Sequence, residues 1–278
     1  MLERIQTPPL SSQPNNDRRK AALEARMARL RADMNVENAQ RTQKAFVKLL
    51  EQWPEDYFAH QEFAVFLELS GDPRGALAEW QRFRDLLPQD SLGHYQAGRL
   101  EIALQRYGEA EEALRKALAI RPSRADGWVE LGNALALQKK YPEALTSYST
   151  ALQMEPQNAQ TLLRRGKVLG YMDRHAEAME SYRAALRLNP ADGLSHYELG
   201  AELLAAKEFD AAGREFGEAA RLNPDRVAAR FNYGTWLMNQ NHSDEAQREF
   251  EAVIRLEPGN VQAQKRLLAL KARTKHVE

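Results

Sequence analysis

Small, bulky and polar positions recur along residues 57–260 with a period of 34. Proline stands at 54, 88, 122, 156, 190, 224 and 258 without a slip. Twelve prolines scattered over 34 phases would place fewer than one in any given phase, so the spacing is a property of the chain. With each proline set as position 32, six ungapped units begin at Tyr57, Ser91, Ala125, Ala159, Gly193 and Val227. Position 20 is alanine in every unit: Ala76, Ala110, Ala144, Ala178, Ala212 and Ala246. Position 8 is Ala64 and then Gly98, Gly132, Gly166, Gly200 and Gly234. Position 24 is bulky throughout (Trp80, Leu114, Tyr148, Tyr182, Phe216, Phe250), and position 30 is aliphatic from Leu86 to Leu256.

This pattern predicts pairs of antiparallel helices. Two helices approach closely only where the facing side chains are small, which explains Gly or Ala at positions 8 and 20. Bulky residues at 4, 7, 11 and 24 then fill the space between one pair and the next. Proline at 32 cannot continue a helix and moves the residue before it out of the α region, which closes each unit. One hairpin cannot bury its own apolar face, so neighbouring copies must stack.

The third unit reads Trp128-x-x-Leu131-Gly132-x-x-Leu135, followed by Tyr141, Ala144, Tyr148, Ala151 and Pro156. It resembles the tetratricopeptide repeat. The resemblance covers 204 of 278 residues. It implies an all-α fold, a right-handed α-solenoid of stacked antiparallel helical hairpins, and work as a scaffold that holds another polypeptide. The family serves many pathways, so the fold by itself names no partner.

The expected organisation has four parts. Residues 1–17, with Pro8, Pro9 and Pro14, read as an extended or disordered segment. Residues 18–56 read as a degenerate hairpin that caps the N-terminal end, with Met27, Leu30 and Met34 in one helix and Phe46, Leu49 and Leu50 in the next. Residues 57–260 are the six repeats. Residues 261–278 read as a capping helix and tail, since an end unit needs a polar outer face. Two core positions depart from the pattern, Arg165 at position 7 and Glu101 at position 11. Their stems are expected to pack while their heads reach water.

Charge refines the picture. Lys plus Arg equals Asp plus Glu at 39 each. Residues 18–31 carry six cations against one anion, and 261–278 carry five against one, whereas 57–260 carry 24 against 30. Six net negative charges over the repeats argue against a phosphate-binding inner surface, so nucleic acid is not expected as a ligand. The cationic stripe of residues 18–31 lacks aromatic residues, which disfavours an amphipathic membrane-surface helix. No apolar run approaches the roughly 18 residues that suggest a membrane span. The N-terminal MLERIQTPPLSSQPNN has no apolar stretch of the secretory kind, so a cytoplasmic location is expected.

Candidate chemistry is sparse. There is no cysteine, which removes thiolate ligands and thiol nucleophiles. His60, His94 and His196 all occupy position 4 and read as packing substitutes for a larger ring. His175 falls at position 17 and His242 in an interhelical turn. Asn241-His242-Ser243 matches a glycosylation sequon by letter alone. With no catalytic motif, the chain is expected to have no catalytic residue, no metal site and no cofactor.

The resemblance also locates a binding surface, because the first helix of each hairpin lines the concave face. Positions 2, 5, 9 and 12 share one side of that helix. Position 5 reads Gln61, Tyr95, Val129, Leu163, Tyr197 and Phe231. Arg99, Asn133 and Lys167 at position 9, with Tyr171 at the helix end, complete a candidate groove for a peptide or protein ligand. Packing between adjacent first helices is the alternative reading of that apolar stripe. The family's carboxylate clamp for chaperone tails begins to match at Val129, Asn133 and Arg164, then fails at Leu194 and Glu198. Two other roles fit the sequence. One is a self-assembling, homo-oligomeric scaffold using residues 1–16 or the basic N-terminal helix, and the other is a targeting subunit of an enzyme complex.

Overall fold

The computed structural model describes residues 38–274, and the expectations for residues 1–17, for the first helix of the N-terminal cap and for residues 275–278 lie outside them. The described residues form helices and turns with no strand. Two compact units divide at Pro122. The first holds α1 (Ala39–Gln52), α2 (Tyr57–Leu69), α3 (Pro73–Leu86), α4 (Ser91–Ala103) and α5 (Tyr107–Ile120). The second holds α6 (Ala125–Leu137), α7 (Tyr141–Met154), α8 (Ala159–Tyr171), α9 (His175–Leu188), α10 (Gly193–Ala205), α11 (Phe209–Leu222), α12 (Val227–Asn239), α13 (Ser243–Leu256) and α14 (Val261–Thr274). Within each unit every helix packs on the next along the chain, giving hairpins α2/α3 and α4/α5 in the first and α6/α7, α8/α9, α10/α11 and α12/α13 in the second. These are hairpins 1 to 6. Each first helix begins at the residue that opens its 34-residue unit.

The close approach inside each hairpin has a definite steric cause. A Cβ on Gly132 would stand 2.6 Å from Tyr148, and one on Gly166 would stand 2.6 Å from Tyr182. The same atom on Gly98 or Gly200 would meet Leu114 at 2.6 Å or Phe216 at 2.9 Å. Position 8 is therefore small to seat the position 24 side chain of its own hairpin. The position 20 alanines are fully buried beside it.

Two kinds of turn alternate. Between hairpins the chain makes a β-turn with proline second, closed by Asp56 N–H to Trp53 O (3.2 Å), Asp90 N–H to Leu87 O (3.0 Å) and Asp192 N–H to Asn189 O (3.2 Å). The fixed φ of proline suits that place. Where the turn's last residue is Asp or Asn it caps the following helix: Asp56 accepts from Ala59 N–H at 2.8 Å, and Asn158 from Thr161 N–H at 3.0 Å, whereas Arg124 and Arg226 make no side-chain cap. Inside each hairpin position 15 has positive φ, at Gly71, Gln105, Lys139, Asp173, Lys207 and Asn241. There the N–H of position 16 returns to the carbonyl of position 11, as from Arg174 to Leu169 (3.0 Å) and from Glu208 to Leu203 (2.9 Å). This is a Schellman ending that satisfies the last helical carbonyls.

Aromatic side chains dominate the core of the first unit. Phe46 of α1 stacks on Phe63 at 5.0 Å, and Trp80 meets Phe83 edge-on at 5.4 Å. In the second unit Tyr182, Leu199, Leu203 and Phe216 form one cluster, and Leu237, Phe250, Val253 and Leu270 form another. Glu101 corrects the expectation for position 11. It is only 5% exposed and one carboxyl oxygen has no partner, so its head does not reach water. Arg165 is half-buried, and its Nε has no partner.

Candidate functional site

The predicted groove residues divide between the two units. In the first, Tyr95 is buried rather than exposed. Arg99 is committed internally, pairing with Glu68 and donating from Nε to Gln96 at 2.9 Å.

In the second unit a polar ladder runs along the first helices. Asn133 Oδ1 accepts from the Tyr148 hydroxyl (2.8 Å) and from Arg164 (3.1 Å), while its Nδ2 donates to Glu130 (3.0 Å). Lys167 Nζ lies 3.4 Å from Glu198. Position 9 of one unit thus pairs with position 6 of the next, and the donors expected to await a ligand already have protein partners. Leu163 is buried in the core, and Val129 is half-buried. Tyr171, 63% exposed, stacks on Tyr141 at 5.5 Å and links hairpins 3 and 4 at their turn ends.

Tyr197 and Phe231 are brought together. Both are half-buried, and both line an open cavity of about 410 Å³ with Val227, Asn232, Asn260 and Gln262. Each ring is held from behind by the position 24 ring of its own hairpin. Tyr197 lies 5.7 Å from Phe216, and Phe231 meets Phe250 edge-on at 5.8 Å. The Arg226 guanidinium lies 4.0 Å over the Tyr197 ring, a cation–π contact that fixes the ring further. Asn260 is occupied as the cap of α14, accepting from Ala263 N–H at 3.0 Å. The carboxamides of Asn232 and Gln262 make no hydrogen bond among the described residues. The cavity therefore offers two fixed aromatic walls and two uncommitted amides, which suits an apolar side chain together with its own backbone polar groups.

Among the described residues the histidines are hydrogen-bonded rather than simply packed. His60 and His196 each lie between a proline carbonyl and a glutamate, His94 reaches only a proline carbonyl, and exposed His175 lies 2.6 Å from Glu202. Among the described residues no three His, Asp or Glu side chains gather as metal ligands would, and no helix is long and apolar enough to cross a membrane. Sequence reasoning missed Asn232 and Gln262, and the position 6 to position 9 ladder. The available signal was the complementary pair Lys167 and Glu198 one unit apart.

Stacked helical hairpins with a small residue at position 8 and proline at position 32 define a helical-repeat protein. Two tetratricopeptide repeat family models match the chain, one over residues 69–125, 95–159 and 163–227, the other over 203–272. The chain belongs to the tetratricopeptide repeat family. No curated protein matches its sequence. Among solved structures it is similar to pilF of Pseudomonas aeruginosa, with a TM-score of 0.66 and 21% identity over 75% of this chain and 95% of that one. The C-terminal part of a TPR repeat-containing protein from Cytophaga hutchinsonii gives a TM-score of 0.68 at 12% identity, over 86% and 98% of the two chains. YrrB, described as a TPR protein with an unusual peptide-binding site, gives 0.56 at 20% identity, over 67% and 96%. At these identities the likeness is one of fold.

Proposed function

We propose that this chain is a non-catalytic interaction scaffold that holds an apolar segment of a protein partner between Tyr197 and Phe231. The observation that carries the reading is the cavity itself, where two position 5 rings, buttressed by Phe216 and Phe250, stand beside unpaired amides. Buttressed aromatic rings lose little side-chain entropy on binding, and asparagine and glutamine amides match the donor and acceptor of a peptide unit. Tyr95 and Leu163, being buried, serve the fold in this reading, and Arg99, Asn133 and Lys167 are each engaged by a protein partner. Net negative charge over residues 57–260 supports a protein rather than a nucleic-acid ligand.

In the same proposal α1 covers the N-terminal side of hairpin 1, and α14 covers the far side of hairpin 6. Leu268 supports the second assignment. It occupies position 8 of α14, where the other units carry Gly or Ala, and a side chain of that size bars the close approach of a second helix. It is 68% exposed.

Selection of a displayed library of short peptides on the purified chain tests the groove reading. Enriched peptides are expected to carry an apolar anchor and to lose at least about tenfold in affinity on Phe231→Ser, a loss typical of an aromatic anchor. Helicity is expected to persist. No enrichment, or binding indifferent to Phe231→Ser and Tyr197→Ser, contradicts the proposal.

A further inference from the structure

In five places a histidine, arginine or glutamine at position 4 of a hairpin, or at the matching place in α14, reaches back to the carbonyl of the proline six residues earlier. His60 Nε2 lies 2.9 Å from Pro54 O, His94 Nε2 3.2 Å from Pro88 O, and His196 Nε2 3.0 Å from Pro190 O. Arg230 Nε donates to Pro224 O at 2.5 Å, and Gln264 to Pro258 O at 2.8 Å. In three of these the side chain also reaches a glutamate at position 23 on the second helix of its own hairpin: His60 Nδ1 to Glu79 (2.6 Å), His196 Nδ1 to Glu215 (2.6 Å) and Arg230 Nη1 to Glu249 (2.7 Å). One side chain thereby ties three pieces together: the turn before the hairpin, its first helix and its second helix. The sequence keeps the pairing. Where position 4 is Trp128 or Leu162, position 23 is Ser147 or Ser181, each of which bonds a carbonyl of its own helix instead.

A carbonyl can only accept, so Nε2 of His60 and of His196 must carry a proton. An ionised glutamate at the other nitrogen also needs a donor. A neutral imidazole has one N–H and cannot serve both, so the closed arrangement requires one proton more than a neutral ring and a carboxylate hold between them. We propose that His60–Glu79 and His196–Glu215 are proton-dependent staples, closed while each pair keeps that proton and opened on one side when it is lost, and that Arg230–Glu249 is the same staple made permanent. The guanidinium does not titrate in the accessible range.

The surroundings of each ring agree. Burial alone would lower the pKa of His60, but the Glu79 hydrogen bond and the Pro54 carbonyl outweigh it, even with Arg82 of α3 opposing, and hold it above its ordinary value. Hydrogen bonding to Glu215 raises His196 against its burial, helped by the Pro190 carbonyl and the charge of Glu218 on α11. His94 has Ala113 in place of the glutamate. Burial lowers it, Arg84 of α3 and Lys116 of α5 add to that, and the Pro88 carbonyl and Asp90 oppose without prevailing. A ring whose folded pKa is raised contributes stability that is complete below the unfolded value and lost as pH rises through the folded one. Hairpins 1 and 5 should therefore loosen at their first turn on the alkaline side, and hairpin 6 should not.

The test uses the full chain. Imidazole NMR signals followed from pH 5 to 9 should show His60 and His196 titrating above, and His94 below, the histidines of the urea-unfolded chain. Amide exchange corrected for intrinsic rate should lose protection in residues 54–60 and 190–196 across that titration, about tenfold for each pH unit separating folded and opened pKa. Residues 224–230 should stay unchanged. His196→Arg should abolish the pH response of residues 190–196 and leave that of residues 54–60. Glu215→Gln should bring the His196 titration down, a second reading that does not depend on the arginine fitting. Folded rings titrating at or below the unfolded ones, or equal pH responses at His196 and Arg230, would overturn the proposal.

Discussion

Hairpins 2 and 5 carry the same residues at positions 4 and 5, His94-Tyr95 and His196-Tyr197, and use them differently. In hairpin 5 the histidine has Glu215 behind it, the tyrosine lines a cavity under Arg226, and position 11 is the buried Leu203. In hairpin 2 the glutamate is replaced by Ala113, the tyrosine is buried, and position 11 is Glu101. Two buried polar atoms, His94 Nδ1 and Glu101 Oε2, are left without partners there. The repeat prescribes a scaffold of small and bulky positions, and the residues outside that set decide whether a hairpin presents a surface or only completes the stack.

Exchanging those residues tests the contrast. The largest effect is expected from Leu203→Glu, which places a carboxyl in the apolar cluster around Phe216 and should lower unfolding stability by about 3 kcal/mol or more in chemical denaturation. The reciprocal Glu101→Leu should stabilise. Burial raises the Glu101 carboxyl to about 6. Ionisation of that carboxyl adds a cost in the fold, so the pH-dependent part of the gain should be absent near pH 4, grow as pH rises from the free-carboxylate range to 6, and level off above it at about 2 kcal/mol. Of comparable size, Gly98→Val and Gly200→Val should each cost about 1–3 kcal/mol, since each side chain would drive into Leu114 or Phe216. A smaller effect should follow Ala113→Glu, which supplies His94 with the missing acceptor and should raise its titration without altering that of His196. The smallest should come from Gln105→Gly and Lys207→Gly, which relieve positive φ and are worth about 1 kcal/mol or less in melting experiments.

Most of the fold was legible because it is carried by residues with one physical reading. Proline at 32, alanine at 20 and glycine at 8 admit few alternatives, and the unit boundaries they set coincide with the observed helix starts. The hairpin turns were not legible, because position 15 takes a left-handed conformation with Gln105, Lys139, Asp173, Lys207 and Asn241 and has glycine only at Gly71. The Schellman hydrogen bond holds them, and it leaves no mark in composition.

The candidate site was legible as a row but not in its details. Periodicity put Tyr95, Val129, Leu163, Tyr197 and Phe231 on one side of successive first helices, yet burial separates them. Leu163 joins the Tyr182 cluster and Tyr95 is covered, while Tyr197 and Phe231 are held at the wall of a cavity. The position 9 side chains looked available because each has a partner about a full repeat away, at Glu68, Arg164 and Glu198. The histidine staples were hidden for the same reason, since Glu79 and Glu215 stand 19 residues from their rings.

The most direct measurement is an amide-exchange footprint on the full chain, with and without a peptide selected for binding. New protection is expected in α10 and α12 around Tyr197, Phe231 and Asn232, and at the start of α14 beside Gln262, and it should disappear in Phe231→Ser. A footprint confined to α4 around Tyr95, or to the outer faces of the second helices, would contradict the account.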